Sequence, residues 1–320
     1  MKVIALEEHY LDPEVGKHFK EGGPETRAPA LRERLLDVGE LRIKEMDEAG
    51  IDLQVLSHTA PATQRLDAET GPKVARAAND RLAETVKASN GRFAAFASLP
   101  TANPTAAADE LERAVTKLGF KGAMVHGLTE VEGKRLFLDD RRFWPIFERA
   151  QALDVPLYMH PAIPHPAVVE AYYKDYVEQF PSIVNAAWGF TVETATQGIR
   201  LVLSGVFEKY PGLKIILGHL GEGLPFLLWR IDMTLGRQGN RATPFRETFR
   251  QHFWVTTSGN FSTAALLCSV MEMGADRVLF SVDYPYVPNP PGVRWMEHVP
   301  LATADREKIL AGNARKLLKL

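Results

Sequence analysis

Eight short runs of branched and apolar residues recur along the chain, at 3–8, 53–57, 93–99, 122–126, 156–160, 214–219, 253–258 and 278–282. Amphipathic stretches of helical period lie between them, among them Leu41 to Ala49, Val74 to Lys87, Ala106 to Leu118, Phe143 to Leu153, Thr191 to Phe207 and Ala302 to Leu318. Short strands alternating with helices are the signature of βα units and a parallel sheet. Eight units in 320 residues are ordinary for one closed α/β barrel. An open doubly wound sheet would more naturally carry a Gly-rich phosphate turn after its first strand, and here that turn reads Glu7-Glu8-His9-Tyr10.

No repeat of fixed period, low-complexity tract or linker marks a second domain, so a single barrel domain over 1–320 is expected. Two connections are long. Residues 10–37, with Lys20-Glu21-Gly22-Gly23-Pro24, and residues 161–190, rich in Pro, Tyr, Phe and Trp, should both emerge from the C-terminal face of the barrel, where such folds carry their chemistry. The formal charge of -2 leaves no electrostatic footprint for nucleic acid or an anionic membrane. The one cysteine, Cys268, lies in an apolar stretch and reads as a buried small hydrophobe on a helix. No leader-like start or membrane-length apolar run is present, so a soluble, cytoplasmic protein is expected.

The chemistry sits where strands end. The first run closes in Glu7-Glu8-His9, and Glu7 and His9, two apart on a strand, should project to the same side. Later runs close in Tyr158-Met159-His160, Leu217-Gly218-His219 and Ser281-Val282-Asp283. In a parallel barrel all strands end at one rim, so these residues converge. Two carboxylates with two or three imidazoles suit one divalent ion of the Zn or Mn type, with positions left open for substrate. His219 and Glu222, three apart across a strand-to-helix turn, can form a hydrogen-bonded pair in which Glu222 orients and charges His219 as a proton carrier. Glu222 could instead simply favour a helix N-terminus.

On these residues, namely Ala5-Leu6-Glu7-Glu8-His9, Pro156 to Pro161, Ile215 to Pro225, Thr257 to Phe261 and Leu279 to Pro285, the chain resembles the amidohydrolase superfamily. Within it, the Glu-x-His form of the first strand resembles the mononuclear, non-oxidative aromatic acid decarboxylases (γ-resorcylate, 2,3-dihydroxybenzoate and 5-carboxyvanillate decarboxylases), whereas hydrolytic members carry His-x-His there. The resemblance implies a distorted (β/α)8 TIM barrel of the metal-dependent hydrolase type. It implies Glu7, His9, His160 and Asp283 as ligands of one Zn or Mn ion and no organic cofactor. It also implies Asp283 as proton donor to the ring, with His219 and Glu222 as the further catalytic pair.

Arg230, eight residues after Glu222 and expected on the same helix, would clamp a substrate carboxylate, or else pair with Asp232 or a neighbouring subunit. Met233-Thr234-Leu235 follows it, where resorcylate enzymes tend to carry an amide. The implied activity is decarboxylation of a hydroxylated aromatic acid by a homodimer or homotetramer. The alternative is a metal-dependent hydrolase of a lactone, ester or amide on the same scaffold. A barrel with a relic site and no turnover is a third reading, disfavoured because every ligand and proton carrier is present. His58 and His126 could line the cavity. His165 reads as an exposed loop residue, and Trp188, Tyr172, Tyr173 and Tyr176 as an aromatic wall or a subunit interface.

Overall fold

The computed structural model describes residues 1–19, 28–237 and 244–320. The segment Lys20 to Pro24 lies outside these. Among the described residues the strands are β1 (Ile4–Tyr10), β2 (Leu53–His58), β3 (Phe93–Ala95), β4 (Ala97–Ser98), β5 (Ala123–His126), β6 (Thr129–Val131), β7 (Lys134–Leu136), β8 (Pro156–His160), β9 (Lys214–Leu217), β10 (Phe253–Thr256) and β11 (Val278–Leu279). All pair in parallel except the small hairpin β6–β7.

The spatial order is β1-β2-β3 in one sheet and β11-β10-β9-β8-β5-β4 in the other. Since β3 and β4 are two halves of one run kinked at Phe96, the order describes eight positions around a ring. Backbone bonds bridge both seams. Phe96 N donates to Leu56 O and Ala97 N to Gly122 O at one, and Leu6 N to Phe280 O and His9 N to Tyr284 O at the other. The fold is therefore a distorted (β/α)8 barrel whose eight runs lie where the apolar pattern predicts them.

The inward side chains of these strands fill the barrel. Leu6, Val55, Phe96, Met124, Tyr158, Ile216 and Leu279 form one buried cluster, and the outward faces pack on helices in a second, larger one. The helices start and stop on local signals. Asn103 caps Pro104–Leu118 through Ala106 N, Pro104 follows at the first helical position, and Gly119 ends it in the left-handed conformation. Ser262 caps Thr263–Met273 in the same way. This helix carries Cys268, which is half-buried rather than fully enclosed.

One expectation is corrected. Glu222 and Arg230 do not share a helix: the turn His219–Glu222 is separated from the helix Leu224–Leu235 by Gly223 at φ 76°. The 161–190 connection carries a chain of short helical turns, Pro166–Val168, Val169–Tyr173, Lys174–Val177 and Pro181–Val184. Among the described residues no helix is long and apolar enough to cross a membrane.

Candidate active site

Residues from two strands, β1 and β8, and from the segment beyond a third, β11, meet at the C-terminal mouth. Ligand-type atoms of Glu7, His9, His160 and Asp283 all lie within 4.8 Å of one another. Glu7 Oε1 is 3.4 Å from His160 Nε2, and His9 Nε2 is 3.3 Å from Asp283 Oδ1. Simple strand alternation does not produce this alone. The register of β1 on β2 slips between Ala5 and Glu8, with Glu7 at φ 56°, so one extra residue is absorbed just where the first carboxylate leaves the strand. Non-glycine left-handed backbone recurs at His219 (49°), Leu220 (57°), Glu222 (54°), Ser258 (28°) and Asp283 (72°). Such backbone costs free energy and persists where surrounding contacts over-determine it.

Those contacts are visible. Glu8, buried on the opposite side of β1 from Glu7, accepts from Val282 N at 2.9 Å and Tyr284 N at 3.0 Å, gripping the peptide units on either side of Asp283. Burial pushes the Glu8 carboxyl up to about 8. The fully buried Arg42 donates to the carbonyl of His9 at 2.5 Å and lies over the Tyr284 ring, tying the end of β1 to the same segment. Glu7 Oε2 accepts from the hydroxyls of Tyr158 and Ser258.

Hydrogen bonds also set the imidazole tautomers. His160 Nδ1 lies 2.7 Å from Pro161 O and must donate to it, which leaves Nε2 with its lone pair toward Glu7. His9 Nδ1 lies 3.4 Å from Ser57 Oγ, with Nε2 toward Asp283. Burial, followed by His126, His9 and His219, holds His160 well below the ordinary imidazole range. Burial raises the Glu7 carboxyl against the pull of His219 and His9.

Glu7 Oε1, His9 Nε2 and Asp283 Oδ1 are buried and have no hydrogen-bond partner among the described residues. Orphaned buried polar atoms are costly, and three of them aimed at one point fit a cation. The donor set, two carboxylate oxygens and two imidazole nitrogens, suits a divalent ion such as Mn or Zn.

Beside this cluster stands His219. Its Nδ1 is 2.7 Å from Glu222 Oε1, and Glu222 Oε2 accepts from Thr191 Oγ1 at 2.8 Å, so the buried carboxylate is fully occupied in orienting the ring. His219 Nε2 then faces Asp283 Oδ2 at 3.8 Å and Glu7 Oε1 at 3.9 Å. Burial works against the cation, but Glu222, Glu7 and Asp283 outweigh it and hold His219 well above the ordinary imidazole range. Asp283 shows the converse: burial would raise it, yet His219 and His9 keep its carboxyl below the usual range.

A cavity of about 460 Å³ opens over the cluster, with His160, His219 and Asp283 in its floor. Phe190 and Ile163 give it apolar wall, and Arg65 and Arg135 stand in its lining. His126 lines it as well, while His58 is buried behind it, accepting from Asp12 N. His165 is half-buried and caps the turn Pro166–Val168. Arg230 is on the surface and outside the cavity lining, and Trp188, Tyr172 and Tyr176 are exposed too. Sequence reasoning missed Tyr158, Ser258, Glu8, Thr191 and Arg65. Only Tyr158 had a signal, its place two residues before His160 on the same strand face.

Comparison with known proteins agrees with this geometry. The chain is 42% identical to a γ-resorcylate decarboxylase of Polaromonas sp. JS666, across 99% of this chain and 98% of that one. Among solved structures, a dihydroxybenzoic acid decarboxylase from Polaromonas sp. JS666, with bound manganese and the inhibitor 2-nitroresorcinol, superposes with a TM-score of 0.92 at 42% identity, covering 100% of this chain and 97% of that one. A 5-carboxyvanillate decarboxylase from Novosphingobium aromaticivorans, complexed with manganese and 4-hydroxy-3-methoxy-5-nitrobenzoic acid, gives 0.90 at 31% identity, covering 100% and 96%. The amidohydrolase family model matches residues 15–320. With full-length relatives, a shared fold and a family match that reaches every strand after the first, the protein belongs to the amidohydrolase family.

Proposed function

We propose that the protein is a metal-dependent, non-oxidative decarboxylase of a hydroxylated aromatic carboxylic acid. The observation that carries this reading is the double position of Asp283. One of its oxygens is an orphan in the ligand cluster, and the other faces the His219–Glu222 pair at the cavity floor. The named relatives are decarboxylases of such acids at about 40% identity over the full chain.

Glu7, His9, His160 and Asp283 hold one divalent ion, which we take to be Mn, the ion named in the related structures. Once bound there, such an ion would supply Lewis-acid and template chemistry to an acidic aromatic substrate. The residues manage the proton. Losing CO2 directly would strand an electron pair on an sp² carbon, so the ring carbon bearing the carboxylate is protonated first. Asp283, which rests as the carboxylate, first takes a proton from the His219 cation facing its Oδ2 at 3.8 Å and then delivers it to the ring. The carbon–carboxylate bond then breaks, its electron pair restores the aromatic ring, CO2 departs and Asp283 is left as carboxylate. His219, charged by Glu222, is placed to return a proton to Asp283 Oδ2. Each turnover consumes one proton, which His219 regains from solvent through the cavity it lines, and no hydrolytic water is used.

Arg230, exposed on the helix after the site, binds a substrate carboxylate only if a second subunit brings it to a cavity. The same helix exposes Phe226, Trp229 and Met233, and the 161–190 insertion exposes Tyr172, Tyr176 and Trp188. These apolar surfaces support a homodimer or homotetramer of single-domain barrels, 1–320, with insertions near 10–37 and 161–190. The experiment is direct. Purified protein with Mn2+ is incubated with a panel of hydroxybenzoates and, separately, of lactones, following CO2 and ring absorbance. Release of CO2 from a hydroxybenzoate is expected. Lactone opening with no CO2 from any acid rejects the decarboxylase in favour of a hydrolase.

A further inference from the structure

Two oxygens of one carboxylate are treated differently here. Glu7 Oε2 accepts from Tyr158 on β8 and from Ser258 just beyond β10, while Glu7 Oε1 is an orphan facing His160. Thr256 completes the group: its Oγ1 is 2.7 Å from Tyr158 Oη and 2.5 Å from Ser258 Oγ, but 3.5 Å from Glu7 Oε2. All four side chains are fully buried.

Counting protons resolves the network. Each hydroxyl has one hydrogen, and a carboxylate oxygen only accepts. Tyr158 and Ser258 therefore spend their protons on Glu7, and Thr256 donates to one of those two hydroxyl oxygens. Ser258 adopts a left-handed φ of 28° to reach this position. Two hydroxyls, backed by that of Thr256, thus converge on the one Glu7 oxygen that turns away from the ligand cluster. A tyrosine placed only to satisfy itself in the core would need one acceptor, and Thr256 offers it.

We propose that Tyr158 and Ser258 are positioning residues for metal binding, which occupy Glu7 Oε2 and so present Oε1 alone to the ion. The inference rests on the metal-dependent function proposed above. Without the two donors the carboxylate has an unmet lone pair in a dry site and turns to satisfy it, and the pre-set position of Oε1 is lost.

The test is Mn2+ binding to the full-length protein without substrate, read from the electron paramagnetic resonance signal of free and bound Mn2+. The variants are Tyr158→Phe and Ser258→Ala, with Tyr210→Phe, a tyrosine remote from the cluster, as control. Outer partners of metal ligands are worth about 10–100-fold in affinity, so a loss of that size is expected in each variant, with an altered bound-Mn2+ spectrum and none of this in Tyr210→Phe. A purely structural role lowers the melting temperature of the metal-free protein and leaves affinity and spectrum alone. Less than about fivefold weakening in either variant that folds overturns the proposal, the threshold lying below the range usual for such partners. Each variant removes one oxygen, so should one fail to fold the other still decides. Mn2+ binding with intact clamp effects but no CO2 release rejects only the decarboxylase, and CO2 release without clamp effects rejects only the clamp.

Discussion

Gly218 offers a sharp probe of the ligand geometry, because its backbone permits alanine and its surroundings do not. It follows β9 directly, with φ -69° and ψ -178°, an ordinary extended conformation. A Cβ added there would lie 2.9 Å from Glu7 Oε2, 3.3 Å from Glu7 Oε1 and 3.3 Å from Tyr158 Oη. Relieving the shortest contact to an ordinary one asks the Glu7 carboxylate to give by about half an ångström. Overpacking of this kind costs about 1–3 kcal/mol. If that cost falls on the ligand position, metal affinity drops by about 5- to 150-fold at 1.4 kcal/mol per factor of ten. The assay is Mn2+ titration of Gly218→Ala against a chelator of known affinity, beside Gly236→Ala. Gly236 ends the helix Leu224–Leu235 in right-handed backbone, and its added Cβ comes no closer than 3.4 Å to any neighbour, so that variant should bind metal normally. A folded Gly218→Ala whose Mn2+ affinity stays within about twofold of the parent, well under the range that cost implies, would refute the placement of Glu7 as a ligand.

Three further outcomes are expected. Asp283→Asn should lower kcat by at least about 10²–10⁴, the usual weight of a general acid, while aromatic acids still bind; a calorimetric titration beside the CO2 assay checks both halves. In the holoenzyme, Glu222→Gln removes a charge-assisted hydrogen bond worth about 1.5–3 kcal/mol, so the His219 cation is lost at lower pH and the alkaline limb of the rate profile moves down by about one to two units; a limb that stays put or moves up contradicts the role of Glu222. Stripping the ion with a chelator should abolish turnover and lower thermal stability, by about 2.7 kcal/mol when free metal had stood at a hundredfold its dissociation constant, and scanning calorimetry with and without Mn2+ reads it.

The pH sign for Glu8 follows from the same reasoning. Its carboxyl is raised to about 8 in the folded protein, above its ordinary value, so the folded state holds a proton that the unfolded chain releases between roughly pH 4.5 and 8. Its contribution is therefore fully present at acid pH and is lost as pH rises through that window.

The amino-acid sequence by itself determined the strands, the barrel and the identity of the polar residues at the rim. These depend on local patterns: branched apolar runs of strand length, helix caps such as Asn103-Pro104, and polar side chains placed where each run stops. His219 and Glu222 were legible as a pair for the same reason, being three residues apart. What the tertiary structure decided is how those rim residues are aimed. The extra residue in β1, the left-handed backbone at Glu7 and Asp283, the grip of Glu8 on the peptides beside Asp283, and the hydroxyls behind Glu7 join positions some 150 to 275 residues apart. Arg230 went the other way: its spacing from Glu222 suggested a shared helix, and Gly223 turned it out to the surface. Long-range contacts of this kind leave no periodic trace, because each depends on which strands become neighbours once the barrel closes.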